Sequence, residues 1–203
     1  MPGSDAKLND YRKKRNFQRT REPSGEESWP AANEQPVFVI QKHDASTLHY
    51  DFRLEVDGVL KSWAVPKGPS TNPADKRLAV PTEDHPLGYA DFEGLIPEGE
   101  YGAGAVIVWD RGNYRNLRAE KEADAASMGE SLAEGKVEVW LEGEKLQGGY
   151  ALIRTSADPK DEKWLLIKMD DDQADARRKP TSTQPTSVLS GRTLAEVQEK
   201  ETE

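Results

Sequence analysis

The sequence of 203 residues contains no cysteine. This absence excludes a disulfide framework, a thiolate zinc site and a cysteine nucleophile. The sequence also lacks an apolar run near the roughly 18 residues that a membrane-spanning helix needs, and its N-terminus lacks the basic and then apolar pattern of a secretory signal. We therefore expect a cytoplasmic protein with no membrane partner.

Positive charge and apolar residues are also in short supply. The net charge is -9, 32% of the residues are charged, only 35% are hydrophobic, and the mean hydropathy is -0.84. A chain of this charge does not coat nucleic acid indiscriminately, because such binding replaces counterions with Lys and Arg. Residues 11–21 form one locally basic stretch without an acid, which suits either a solvated arm or a phosphate-contacting arm.

Composition divides the chain into three segments. Residues 1–36 are rich in charge, proline and glycine, and they predict a flexible basic and polar leader. Residues 37–170 hold nearly all of the apolar pattern and predict the folded domain. Residues 171–203 predict a linker-like tail that ends in a short helix.

Apolar and polar residues of the middle segment alternate with a period of two in short runs, which turn signals such as Asp57-Gly58 separate. The predicted strands are Val37–His43, Tyr50–Val56, Leu60–Val65, Arg77–Thr82, Ala105–Trp109, Lys136–Leu141, Tyr150–Thr155 and Trp164–Met169. One stretch, Ala119–Ala133, lacks strand formers and suits a helix or an inserted loop. The pattern predicts an all-β barrel or sandwich.

The three histidines all lie between positions 43 and 85, where charged residues interrupt apolar strands. Because side chains alternate across a strand, His49, Asp51 and Arg53 share one face of their predicted strand. A charged row therefore lies behind an apolar one. Two imidazoles and a carboxylate are a suitable ligand set for Mn, Fe, Co or Zn. The alternative interpretation is that His49 and Asp51 are ordinary exposed polar residues of a strand, because the pattern is short.

The predicted strand that begins at Arg77 also carries charged residues, and we expect them to lie on the same side as His49, Asp51 and Arg53. If the strand that begins at Arg77 persists past Pro81, then Arg77, Glu83 and His85 have a common parity. One alternative uses these residues differently: His49, Asp51 and His85 imitate the facial triad of non-haem Fe(II) oxygenases. A second alternative is a non-catalytic barrel that binds single-stranded nucleic acid through the basic leader and aromatic side chains.

Two long blocks resemble one known family. The blocks are FVIQKHDASTLHYDFRLEVDGVLKSWAVPKGPS and KRLAVPTEDHPLGYADFEGLIPEGEYGAGAVIVWDRG. They are similar to the 3′-phosphoesterase module of bacterial DNA ligase D, the end-joining ligase. The resemblance implies a small closed β-barrel of mostly antiparallel strands. It also implies a Mn(II)-dependent enzyme, with Co or Zn as alternative metals, that removes a 3′-phosphate or a 3′-terminal ribonucleotide.

The resemblance also implies roles for individual residues. The family's metal ligands match His43, His49 and Asp51, its phosphate-binding side chains match Arg53 and Arg77, and its catalytic histidine matches His85. Substrate-binding positions around the site match Gln41, Lys67, Glu83 and Tyr89. His85 would either donate a proton to the leaving oxygen or hydrogen-bond the phosphate. The implied partners are DNA or DNA–RNA 3′ ends on a primer-template, together with the ligase and polymerase of the end-joining system.

The leader departs from the family pattern at one position. The Arg-Asp pair of the family appears here as Arg15-Asn16, followed by Glu22, and these three residues complete the expected substrate-binding set. Asn keeps the hydrogen-bonding shape of Asp but loses its charge. We therefore expect ribonucleotide trimming to be weaker than phosphate removal. SVLSGRTLAEV resembles the segment that leads toward the ligase module of the fused enzyme, so a free-standing protein and an excised module both stay open.

Overall fold

The computed structural model describes residues 4–27 and 35–202. Within these residues the chain forms nine strands, all paired antiparallel. They are β1 Val37–Asp44, β2 Leu48–Val56, β3 Val59–Val65, β4 Arg77–His85, β5 Gly94–Ile96, β6 Gly104–Asn116, β7 Lys136–Gly143, β8 Gln147–Ser156 and β9 Lys163–Lys168. Each of the eight predicted strands is present. The ninth strand, β5, was not predicted, because its three residues are too few to show an alternation.

The sheet closes on itself. Its order is β1-β2-β3-β4-β9-β8-β7-β6-β5, and β1 also pairs with β6, so eight strands form a closed barrel while β5 adds to one end of β6. Closure removes the unpaired edges that an open sheet would expose. The predicted small closed barrel of antiparallel strands is confirmed.

Short helices join and flank the strands. They are α1 Ser4–Lys7, α2 Asn9–Lys13, α3 Met128–Glu134, α4 Pro180–Thr183 and α5 Leu194–Thr202, with a 3₁₀ turn at Leu87–Asp91. The segment Ala119–Ala133, for which the sequence allowed a helix or an inserted loop, is helical only from Met128, where α3 follows a capping box of Ser127 and Glu130. Among the described residues, no helix is long and apolar enough to cross a membrane.

The main core fills the barrel and takes up most of the aromatic side chains. Trp63, Trp109 and Trp164 are buried there, with Tyr114 fully enclosed. These aromatic side chains pack against one another; the ring centroids of Trp63 and Trp164, for example, lie 5.7 Å apart. Buried rings cannot stack on bases, so the packing argues against the hypothesis of a nucleic-acid-binding barrel that uses them.

The flanking segments lie against the outside of the barrel. Tyr11 of α2 is fully buried in a second apolar cluster with Val39 and Val108, and its hydroxyl donates to the Pro23 carbonyl at 2.6 Å. At the other end, Val197 of α5 packs in a third small cluster on β6. Residues 28–34 of the predicted leader lie outside the described residues. The division of the chain at residues 36 and 171 stays a prediction about composition.

Candidate active site

A cavity of about 250 Å³ lies on the outer face of strands β1, β2 and β4. The predicted alternation in β2 is confirmed, because Tyr50, Phe52 and Leu54 are buried in the barrel while His49, Asp51 and Arg53 line the cavity. The antiparallel register sets His43 of β1 directly opposite His49, with their ring centroids 4.9 Å apart. The β1–β2 hairpin thus brings both histidines to the same side as Asp51 and Arg53.

His43, His49 and Asp51 form a group that could hold a metal ion, with one ligand atom from each lying within 4.8 Å of the others. Asp51 Oδ2 lies 3.4 Å from His49 Nε2 and 3.6 Å from His43 Nδ1. All three side chains are mostly shielded from solvent. A carboxylate oxygen and two imidazole nitrogens therefore converge on one point.

The outer nitrogen of each ring is held by a backbone carbonyl. His43 Nε2–H donates to the Gly102 carbonyl at 2.6 Å, and His49 Nδ1–H donates to the Thr47 carbonyl at 2.9 Å. In the tautomers that these bonds select, the lone pairs of His43 Nδ1 and His49 Nε2 are directed toward Asp51. Metal-binding histidines are oriented in this way by a bond from their other ring nitrogen. The donor set fits a divalent transition metal of the Mn, Fe, Co or Zn type.

Neighbouring charges keep Asp51 ionised. Burial disfavours its charged form, but the Arg53 guanidinium and the two histidines outweigh burial and hold the pKa of Asp51 well below its usual range. At His49, burial disfavours the charged form, but the negative charge of the nearby Asp51 carboxylate outweighs burial and raises the pKa. An ionised carboxylate is the form in which an Asp side chain can ligate a cation.

Arg53 is locked in place yet keeps one donor unused. Its Nε donates to Gln41 Oε1 at 2.8 Å, its Nη2 lies 3.4 Å from Asp51 Oδ2, and its guanidinium carbon is 4.9 Å from the centroid of the Tyr89 ring. Gln41 is itself fixed, because its Nε2 donates to the carbonyls of Tyr89 and Phe92. Arg53 Nη1 is buried without a hydrogen-bond partner. A buried guanidinium donor without a partner, beside a His-His-Asp group, suits an anionic ligand.

A shift of register in β4 directs His85 toward the cavity. His85 pairs with Leu60 and Thr82 pairs with Ser62, so β4 spends three steps where β3 spends two. The extra residue changes which side chains share a face. His85 and Thr82 therefore both line the cavity.

His85 is fully enclosed and is held by two groups. Its Nδ1–H donates to the Glu83 carbonyl at 2.8 Å, and its Nε2 lies 3.4 Å from Arg15 Nη2. Burial lowers the pKa of His85 well below its usual value, and the nearby Arg53 and Arg15 lower it further. His85 is therefore neutral at pH 7, with Nε2 as a proton acceptor. It does not join the His-His-Asp group, so the facial triad of His49, Asp51 and His85 is wrong.

The leader contributes a buried ion network to the cavity wall. Arg15 Nε donates to Glu22 Oε1 at 3.0 Å and Arg15 Nη1 donates to Glu83 Oε1 at 3.1 Å. Glu22 Oε1 also accepts from the Tyr89 hydroxyl at 2.8 Å, and Lys14 Nζ donates to Glu83 Oε2 at 3.0 Å. Arg15, Glu83 and Tyr89 line the cavity, while Glu22 holds two of them in position. The structure thus brings most of the expected substrate-binding set together.

Five expected residues do not line this cavity, although two of them, Gln41 and Glu22, hold lining residues in place. The register shift in β4 places Arg77 on the opposite face of the strand from His85. Arg77 pairs with Leu166 of β9, and its Nη2 lies 3.5 Å from Asp75 Oδ2. The expected common parity of Arg77 and His85 is wrong for this reason. Lys67 is exposed after the end of β3. Asn16 is exposed, and its Oδ1 accepts from the Gln18 backbone N–H at 3.1 Å.

Seven residues that line the cavity were not predicted from the sequence, and Thr82 and Tyr101 are two of them. Thr82 Oγ1 is buried without a hydrogen-bond partner, and Tyr101 stands at the mouth of the cavity with 46% of its surface exposed. Thr82 escaped notice because the register shift was invisible in the sequence. Tyr101 lies in the glycine-rich segment PEGEYGAG, whose glycines are typical of a turn and do not mark Tyr101 as a functional residue.

The fold and the site define a class of protein, a small antiparallel barrel with a His-His-Asp group and a buried arginine at one cavity. The family model described as the DNA Ligase D 3′-phosphoesterase domain matches residues 41–154, more than half of the sequence. The chain belongs to this family of phosphoesterase domains, and the resemblance seen in the sequence is confirmed.

Named relatives agree with this assignment. The multifunctional non-homologous end joining protein LigD of Pseudomonas aeruginosa is 51% identical over 196 residues, which are 96% of this chain and 22% of that protein. The corresponding DNA repair protein of Mycobacterium tuberculosis is 46% identical over 80% of this chain and 20% of its own length. That of Mycolicibacterium smegmatis is 46% identical over 84% of this chain and 21% of its own length. The chain therefore spans about a fifth of these relatives.

Proposed function

We propose that the chain is a metal-dependent DNA 3′-end-healing phosphoesterase that removes a 3′-phosphate and leaves a ligatable 3′-OH in end joining. The observation that carries the proposal is the position of Arg53, whose unused Nη1 lies on the same guanidinium that approaches Asp51 Oδ2 at 3.4 Å. One anionic group bound there would meet both the guanidinium and the His-His-Asp group. The sequence family and the relatives named for non-homologous end joining support the same substrate class.

His43, His49 and Asp51 would hold the metal ion, with Mn(II) as the proposed cofactor and Co or Zn as alternatives. Support comes from the two ring nitrogens fixed by the carbonyls of Gly102 and Thr47, which leave their partner nitrogens as lone-pair donors. When bound, a divalent ion at this place supplies Lewis-acid polarisation of a phosphoryl oxygen.

Arg53 would bind an equatorial phosphate oxygen through Nη1. Gln41 and Tyr89 fix the guanidinium before the substrate arrives, so little side-chain ordering remains to be done on binding. Charge on the phosphate oxygens grows during transfer, and a prepositioned guanidinium offsets it. Arg77 and Lys67, if they contact the substrate, would meet parts of it that extend beyond the cavity.

His85 would supply a proton or a hydrogen bond at the phosphate. In the free protein its Nε2 is a proton acceptor, because burial and the two arginines lower its pKa. A phosphate dianion in the cavity opposes the charge of Arg53 and Arg15, so it raises the pKa of His85 and favours Nε2–H. That proton would then be donated to a phosphate oxygen or to the leaving oxygen.

The leader would contact the nucleic acid and distinguish its terminal sugar. Arg15, with Glu22 and Glu83, forms the cavity wall, and Lys14 and Arg19 lie beside it with half-exposed side chains. A ribonucleotide end differs from a deoxyribonucleotide end only in its 2′-OH. Removal of a 3′-terminal ribonucleotide would be the second activity of the chain, and Asn16 would limit it. A cytoplasmic location and cooperation with the ligase and polymerase of the end-joining system complete the proposal.

A primer-template assay tests the proposed function. A 5′-labelled primer ending in a 3′-phosphate, incubated with Mn(II), should be converted to the 3′-OH form by the native chain. His85→Ala and Asp51→Asn should abolish the conversion, whereas the control Asp91→Asn, which removes only an exposed ion pair with Arg111, should retain it. Retention of activity by His85→Ala would contradict the proposed site. Consumption of oxygen and a keto acid with Fe(II), without phosphate release, would favour an oxygenase instead.

A further inference from the structure

Tyr101 stands out among the exposed apolar side chains of the described residues. Leu48, Leu78, Tyr101 and Leu189 are the large hydrophobic side chains exposed there, and Tyr101 alone is aromatic and alone lines the cavity. An exposed ring at the mouth of a polar site offers a flat apolar surface at a place where burial in the core does not explain it.

The turn that carries Tyr101 is fixed on both sides. Glu100 Oε1 accepts from Arg19 Nη1 of the leader at 2.9 Å, and the Gly102 carbonyl accepts from His43 Nε2 at 2.6 Å. Within the turn, the Glu100 N–H donates to the Pro97 carbonyl and the Ala103 N–H donates to the Glu100 carbonyl, both at 3.1 Å. The backbone on either side of Tyr101 is therefore tied to the leader and to the His-His-Asp group.

The cavity is small and open to solvent. Its volume of about 250 Å³ is below the roughly 300–1,000 Å³ of sites that enclose drug-sized ligands. On the proposed function, the group that enters is the phosphate, which meets Arg53 and the His-His-Asp group, and the attached base would lie at the mouth. Lys14 Nζ lies 5.0 Å and the Arg15 guanidinium carbon 5.4 Å from the centroid of the Tyr101 ring, so positive charge flanks the place where that base would lie.

We propose that Tyr101 is a positioning residue whose ring stacks on the base of the 3′-terminal nucleotide. The inference rests on the proposed function for the identity of the substrate. Aromatic rings beside cationic side chains are the elements with which proteins bind single-stranded ends without reading their sequence. Stacking requires the ring and not the hydroxyl, and it accepts any of the four bases.

Two substrates separate stacking from a general effect on the cavity. One is a primer-template that ends in a nucleoside 3′-phosphate, and the other ends in an abasic 3′-phosphate. For the native chain, the KM of the first should be about 5- to 150-fold lower, the range expected from alanine substitution of a stacked aromatic. Tyr101→Ala should raise the KM of the first substrate to the abasic level and change kcat by less than about two-fold, as a positioning role predicts.

Matched variants complete the experiment. Tyr101→Phe and Tyr101→Trp should keep the discrimination, because both retain a ring, and Leu189→Ala should not change it, because Leu189 is exposed away from the cavity. An equal rise in KM for both substrates with Tyr101→Ala, or native chain that does not distinguish them, would overturn the inference.

The affinity of the same two oligonucleotides, measured by fluorescence anisotropy, keeps the inference separate from the proposed function. A native chain that releases no phosphate yet binds the base-containing end more tightly contradicts the proposed function alone. Equal affinities for the two ends in a chain that does release phosphate contradict the role of Tyr101 alone.

Discussion

Gln41 Oε1 accepts a hydrogen bond from Arg53 Nε at 2.8 Å, and both side chains are buried on neighbouring strands. The amide of Gln41 is oriented in turn by the carbonyls of Tyr89 and Phe92. This chain of contacts fixes the plane of the guanidinium, which in turn decides where Nη1 points. The position of the unused Nη1 donor therefore depends on a residue that does not itself line the cavity.

Gln41→Leu should lower kcat/KM for 3′-phosphate removal by about 10- to 100-fold, because a misoriented Arg53 no longer meets the phosphate at the right angle. The measurement is steady-state kinetics on the primer-template. Ser62→Ala is the matched control, since Ser62 is buried opposite Arg53 on β3 and donates only to the Leu60 carbonyl. Full activity in Gln41→Leu would show that Arg53 does not need this support.

Asp51→Asn should weaken Mn(II) binding by more than about 100-fold, because even the loss of a group that only orients a ligand costs about 10- to 100-fold. Isothermal titration of the native and variant chains with Mn(II) measures the difference. Arg53→Lys offers a contrast, because it keeps the ligands and should retain metal binding while losing activity. Equal affinity of the native chain and Asp51→Asn would remove Asp51 from the metal site.

His85 makes stability depend on pH in a direction that its environment determines. Burial and the two arginines depress the pKa of His85 in the folded chain, so its contribution is present above the ordinary histidine pKa of about 6.5 and is lost as the pH falls below it. The unfolded chain binds a proton there that the folded chain does not.

Chemical denaturation measures this effect, with a chelator present to remove metal ions from the protein. The native chain should lose its advantage in unfolding free energy over His85→Gln by up to about 1.4 kcal/mol per pH unit below about pH 6.5. Comparison of the two proteins cancels the other titrating groups. A difference that stays constant between pH 5 and pH 8 would mean that His85 takes up protons as freely in the folded chain as in the unfolded chain.

Asn16→Asp should raise removal of a terminal ribonucleotide and leave 3′-phosphate removal unchanged. The Asn16 side chain accepts from the Gln18 N–H, and an Asp carboxylate makes the same bond, so the turn should not be disturbed. Gel assays on primers that end in one ribonucleotide or in a 3′-phosphate compare the two activities. No gain of ribonucleotide removal would exclude Asn16 as the limiting residue.

Removing Lys14 and Arg19 charges should weaken oligonucleotide binding and lower the slope of log affinity against log salt by about 1 per charge. Lys14→Gln and Arg19→Gln are better tests than deletion of the leader, because deletion would also remove the fully buried Tyr11. Anisotropy titrations at several salt concentrations give the slope. An unchanged slope would show that these side chains do not contact phosphates.

Period-two alternation was enough to predict the eight strands of the barrel and the shared face of His49, Asp51 and Arg53. The place of His43 also follows from a local feature, since a short hairpin sets it opposite His49. These relationships depend on residues that are neighbours along the chain, and they can therefore be predicted from the sequence.

Other features depend on contacts between distant segments, which the pattern of one segment does not record. The register shift between β3 and β4 gives His85 and Arg77 different faces, and it depends on how two strands fit together. The docking of the leader needs Tyr11 to meet a cluster formed by β1 and β6. Tyr101 gained its place at the cavity through the bond between the Gly102 carbonyl and His43, 59 positions away.

Anomalous diffraction from a crystal soaked in Mn(II) shows directly whether His43, His49 and Asp51 hold the metal ion. We expect one manganese peak about 2.0–2.3 Å from His43 Nδ1, His49 Nε2 and Asp51 Oδ2, the usual range for such ligands, with Arg53 Nη1 facing the open side of the ion. A peak ligated by His85, or the absence of any peak among His43, His49 and Asp51 at saturating Mn(II), would contradict this expectation.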